Sequence, residues 1–214
     1  MTSVTPLNSP HEVAAPCIVG RSSSHFTRVV RLFAQELGVT CDFRVVPDLY
    51  ATDAERYGGN PGLKLPNLVT ADGVVFGALN SCRRLARLAK TTPRIVWPEQ
   101  LSSLVAANAQ ELTLQAMATE VTWVLLQNDV ESAYARKLTK ALLGMLEWLD
   151  EHVVQARSEL PECELSYFEA ALFCLVEHLE FRNVTPLSPY PRLREFAGQW
   201  GQRQSARATP FRFD

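Results

Sequence analysis

The hydrophobic pattern changes once along the 214 residues, and this change limits the fold more than any single motif does. Up to about residue 90, short apolar runs alternate with helix-like stretches; beyond about residue 100, nearly every apolar residue recurs at helical spacing. A chain that is mixed first and helical afterwards folds as an α/β unit joined to an all-α unit. With 47% apolar and 21% charged residues it can bury a sizeable core, which excludes a disordered, collagen-like or disulfide-scaffold chain.

In the first part, CIVG at 17–20 is a short apolar run ending in Gly20, and Ser22, Ser23 and Ser24 then offer N-cap hydroxyls. Phe26, Val29, Val30, Phe33 and Leu37 recur at helical spacing, with Gly38 as the stop. Cys41, Phe43 and Val45 alternate with polar residues as in a half-buried strand. The stretch 47–62 reads as an irregular crossing, after which NLVT and VVFG flank Ala71-Asp72-Gly73 in the manner of a hairpin. A helix resumes from Leu79 through Cys82, Leu85, Ala86 and Ala89; Arg83, Arg84, Arg87 and Lys90 read as its solvated face. The first strand–helix–strand unit must cross over right-handedly.

The expected boundaries are a flexible leader over 1–14, an α/β domain over 15–90, a linker with two prolines over 91–100, and a helical domain over 101–214. In the helical part, Leu101, Leu104, Val105, Asn108, Leu112 and Ala116 trace one face, and Tyr134, Leu138, Ala141, Leu142, Met145 and Trp148 trace another. Ser166 and Glu169 form a capping box before AALFCLV, predicting a central helix over about 167–181. Leu193, Phe196, Ala197 and Trp200 mark one more helix, and ATPFRFD runs off irregularly.

A formal charge of −2 lacks the positive excess that carries non-specific nucleic-acid binding, so no nucleic-acid partner is expected. Five cysteines at irregular spacings, without a C-x-x-C, suit free thiols in a reducing cytoplasm; no metal site is expected. No uncharged apolar run approaches the roughly 20 residues of a membrane span.

Several local motifs, taken in order, resemble the cytosolic glutathione transferases. GRSSSHFTRVVR at 20–31 is similar to G-S-x-x-S-P-F-x-R-x-V-R, and Asn60-Pro61-Gly62-Leu63-Lys64-Leu65-Pro66 to N-P-x-G-K-V-P. Trp97-Pro98, Ser166-x-x-Glu169 and PYPRL, with Pro191 and Leu193, match later segments. The resemblance covers about residues 15 to 210 and implies a thioredoxin-like N-terminal domain, an all-helical C-terminal domain and a two-fold homodimer. It implies Ser24 as the hydroxyl facing the glutathione thiol, with Ser22 and Ser23 as alternates. It places Leu65 and a cis Pro66 along the glutathione backbone, and Lys64 near its glycine carboxylate. His25, where the family usually has Pro, reads as an exposed first-turn histidine.

One departure stands out. The family's Glu-Ser pair, which holds the γ-glutamyl group, falls on Ala78 and Leu79. Glutathione is therefore expected as a weakly bound cosubstrate, with a small apolar electrophile as the second substrate. The alternative is a non-catalytic binding or scaffold protein of the same fold.

Overall fold

The computed structural model describes residues 15–125 and 132–214, so the leader expected over 1–14 lies outside the described residues. β1 (Cys17–Gly20) leads through a serine loop into α1 (His25–Glu36), and the chain returns as β2 (Asp42–Val45), parallel to β1. Ser24 stops the extended chain and caps α1, its Oγ accepting the Thr27 N–H at 3.3 Å. The helix ends at Leu37, and Gly38 follows in the left-handed region at φ 61°, where glycine has no Cβ penalty.

β3 (Asn67–Thr70) and β4 (Gly73–Phe76) form the expected hairpin and complete a sheet of order β2-β1-β3-β4. α1 and α2 (Ala78–Leu88) pack together, burying Val29, Val30 and Phe33 with Cys82 and Leu85. Arg83 pairs with Glu99 and Arg84 with Asp72, so part of the basic ridge is matched within the chain.

Residues 91–100 are more than a linker. They carry β5 (Ile95–Val96), which pairs in parallel with β6 (Leu165–Ser166) of the helical half. Arg94 reinforces the splint by donating to Glu162 Oε1 at 2.8 Å, and its N–H to Glu164 Oε2 at 2.7 Å.

The helical half comprises α3 (Leu104–Leu125), α4 (Ala133–Ser158), α5 (Tyr167–Phe181), α6 (Pro191–Trp200) and the short α7 (Gln204–Ala208). α5 is buried almost all round, from Tyr167 to Leu179, as its apolar composition requires. The faces expected for α3 and α4 are rotated. Leu104 and Asn108 are exposed, and α3 turns Ala106, Ala109, Thr113 and Met117 inward along with the expected Ala116. On α4, Tyr134 and Ala141 are exposed, whereas Leu142, Leu146, Leu149 and Val153 are buried. Small residues let α3 approach its neighbours closely, which displaces larger ones to the flank. There Leu112, Met145 and Trp148 line an open groove of about 900 Å³.

The capping box forms by half. Ser166 Oγ accepts the Glu169 N–H at 3.4 Å, but the Glu169 carboxylate turns to Arg157 Nε on α4 at 2.8 Å, a charged donor that outcompetes the neutral backbone. Ser166→Ala is expected to lower the unfolding free energy by about 1–2 kcal/mol. An unchanged urea midpoint would show that this cap contributes nothing.

One continuous core joins the halves, running from Ile18 and Phe33 through Tyr167 and Phe173 to Trp200. Among the described residues, no helix is long and apolar enough to cross a membrane.

Candidate functional site

Sheet register gathers three separate motifs at one end. Val19 lies beside Asn67, and Asn67 lies beside Phe76. The serine loop after β1, the Leu65–Pro66 segment before β3, and the start of α2 after β4 therefore leave the sheet at the same end of the strands.

In the serine loop, Ser22 and Ser23 are 1% and 2% exposed, while Ser24 is half-buried. The alternates are thus closed off from any ligand at the surface. Ser22 is engaged by the C-terminal segment: its N–H donates to Asp214 Oδ2 at 2.6 Å, and its Oγ accepts from Arg212 Nε at 3.2 Å. That segment has no regular structure beyond Ala208, as expected, but it is packed down rather than running off. Phe211 and Phe213 stack on Phe181, and the Arg28 guanidinium lies 4.3 Å from the Phe211 ring centre.

The Leu65–Pro66 peptide is cis. Its loop is pinned by two buried asparagines that sequence reasoning missed. Asn67 Nδ2 donates to Tyr57 O and Lys64 O, both at 2.7 Å, and its Oδ1 accepts from Asn60 Nδ2 at 3.0 Å. Asn60 Oδ1 accepts the Gly62 N–H at 2.8 Å. A polar residue opening the apolar run NLVT was the available signal. With these carbonyls occupied, the Leu65 N–H and C=O make no hydrogen bond among the described residues. Lys64 is exposed.

α2 starts at Ala78, with Gly77 at φ 81° as a cap that lacks a side-chain acceptor. Ala78 is buried and Leu79 half-buried, and neither side chain can hydrogen-bond.

His25 is not an exposed first-turn histidine. It is fully buried, with Nδ1 2.9 Å from His178 Nδ1 and Nε2 3.2 Å from Met117 O. His178 Nδ1 also lies 2.7 Å from Glu120 Oε1. Burial first, then the neighbouring His178, holds the His25 proton affinity well below the usual range, while burial pushes the Glu120 carboxyl up. The sequence showed no ligand cluster, yet the fold assembles His25, Glu120 and His178 with their ligand atoms within 4.8 Å of one another.

The cysteines are free, as expected. Burial pushes Cys41 up to about 11 and Cys174 to about 12, so neither is an activated thiolate.

Comparison with solved structures places this architecture. A glutathione S-transferase from Methylobacillus flagellatus KT, with glutathione bound, has 18% identity and a TM-score of 0.74, covering 92% of this chain and 100% of that one. One from Methylobacterium radiotolerans, in complex with glutathione sulfonate, has 18% identity and a TM-score of 0.72, covering 94% and 97%. A glutathione transferase family member from Pseudomonas fluorescens Pf-5, with bound glutathione, has 16% identity and a TM-score of 0.76, covering 92% and 100%. Neither a protein-family model nor a curated protein matches the chain significantly. The chain has the glutathione S-transferase fold, a thioredoxin-like domain followed by an all-helical one.

Proposed function

We propose that the protein is a glutathione-transferase-like enzyme that delivers the glutathione thiolate to a small apolar electrophile. One observation carries this reading: the hydroxyl of half-buried Ser24, at the N-terminus of α1, lies at the same end of the sheet's strands as the unengaged backbone groups of Leu65.

Ser24 Oγ already accepts from Thr27, which leaves its own hydrogen to donate to sulfur. That donor and the positive end of α1 both favour the thiolate over the thiol, populating the nucleophile near neutrality. Leu65 pairs with the glutathione backbone as an added strand would, a contact indifferent to side chain. Lys64 supplies charge for the glycine carboxylate. A two-fold homodimer in solution belongs to the same reading.

The γ-glutamyl end is held poorly. Without the Glu-Ser pair, glutathione binding loses charge-assisted hydrogen bonds of about 1.5–3 kcal/mol, one to two powers of ten in affinity. Calorimetric titration is expected to give a dissociation constant on the order of 1 mM, and Ala78→Glu with Leu79→Ser to tighten it about tenfold. The missing pair also favours a second reading, a binding protein that has lost the chemistry. Heatless titration with both the unaltered chain and the double variant would select it.

A further inference from the structure

His25, Glu120 and His178 come from three helices, α1, α3 and α5, and are 0%, 0% and 4% exposed. Each imidazole commits Nε2 to a backbone carbonyl, His25 to Met117 O at 3.2 Å and His178 to Ser23 O at 2.9 Å. A carbonyl only accepts, so both Nε2 atoms carry the hydrogen of the neutral ring and both Nδ1 atoms present a lone pair. Those lone pairs face each other across 2.9 Å, and Glu120 Oε1 faces His178 Nδ1 at 2.7 Å. Glu120 Oε2 lies 3.7 Å from His25 Nδ1 and has no hydrogen-bond partner among the described residues. With the carboxylate ionised, three acceptors converge on one buried point; a proton on Glu120 would relieve its contact with His178 and still leave the two Nδ1 lone pairs opposed. This arrangement is repulsive unless a cation stands there.

A single proton on His178 Nδ1 serves one partner. Directed at Glu120, it leaves the His25 lone pair bare; directed at His25, it leaves the carboxylate bare. An ion about 2.0–2.2 Å from each ligand atom serves all three together. Ligand atoms at that distance from a tetrahedral ion stand about 3.3–3.4 Å apart, so the 2.9 and 2.7 Å contacts of His178 Nδ1 open by about half an ångström and the 3.7 Å approach of Glu120 Oε2 to His25 closes by less. Two neutral imidazoles and a carboxylate suit a borderline divalent ion, and a carbonyl on the far nitrogen of each ring is the usual support for a ligating histidine.

The geometry points to a divalent transition-metal site of the zinc class, built by His25, Glu120 and His178 and closed between α1, α3 and α5. Its role is structural. The Ser23 carbonyl, one residue before Ser24, is held by His178, so the ion clamps the serine loop to the helical half. The site stands whether or not glutathione binds.

Burial makes loading a folding event, so the test is refolding of the full chain from denaturant with Zn²⁺, with Co²⁺ or with a chelator, followed by gel filtration and elemental analysis. The metal-refolded protein is expected to retain close to one ion per chain, to show visible d–d bands with Co²⁺, and to melt roughly 5–10 °C above the chelator-refolded form. Glu120→Gln and His178→Ala should abolish retention, while His152→Ala, outside the cluster, keeps it. Retention below about a tenth of an ion per chain overturns the site, as does equal retention by Glu120→Gln and His178→Ala. Should those variants fail to fold, zinc-edge X-ray absorption of the unaltered chain decides. Nitrogen and oxygen neighbours at about 2.0–2.1 Å support the site, whereas sulfur at about 2.3 Å puts the ion on cysteine and overturns it.

Discussion

Ser24→Ala is expected to lower glutathione-dependent turnover of a chromogenic electrophile by one to two orders of magnitude or more, the effect of removing one donor aimed at developing or stabilised charge. The same change removes the Oγ bond to Thr27, a cap worth about 1 kcal/mol, so the fold should survive with a slightly lower urea midpoint. The separation of these readouts is the point of the experiment. Ser22→Ala and Ser23→Ala remove hydroxyls that are closed off from solvent and should leave turnover close to that of the parent. If Ser24→Ala turns over normally, the thiolate is stabilised by the helix terminus alone and the serine mechanism fails.

Asn67→Ala should be the most damaging small substitution in the thioredoxin-like half. It removes both donors to Tyr57 O and Lys64 O and the acceptor for Asn60 Nδ2, all at a position with no exposure. Buried groups left unpaired cost about 1–3 kcal/mol each, and Lys64 O keeps one partner in Asn60, so a total of about 3–4 kcal/mol is expected. That is more than a hundredfold in the folding equilibrium. Urea unfolding measures it directly, and a loss below about 1 kcal/mol would mean that water replaces the side chain.

What sequence reading reached follows from the range of each signal. The Ser24 cap, the β3–β4 hairpin and the start of α5 at Tyr167 rest on neighbours a few residues apart, and all three were legible. The inward face of α3 was legible only at Ala116, because Ala106 and Ala109 weigh little in a hydropathy pattern that Leu104 and Leu112 dominate. The pairing of Ile95–Val96 with Leu165–Ser166 is too short to show a period of two. His178 is 153 positions from His25 and 58 from Glu120, so only tertiary packing brings these residues together. The site divides the same way: Leu65–Pro66 stood out as a local motif, whereas Asn67, which anchors it, looked like an ordinary strand residue.

Because one packed interior runs from Ile18 and Phe33 to Tyr167, Phe173 and Trp200, the two halves are expected to melt as one cooperative unit in calorimetry. Separating them would expose Phe33, Trp97 and Tyr167 together, rings whose centres lie within 6.0 Å of Phe33. The helical half therefore underwrites the serine loop energetically. A cavity opened anywhere along α5 raises the unfolded population of Ser24 as much as one opened beneath it, and lesions far from the serine loop surface as lost protein at the same temperature as lesions next to it.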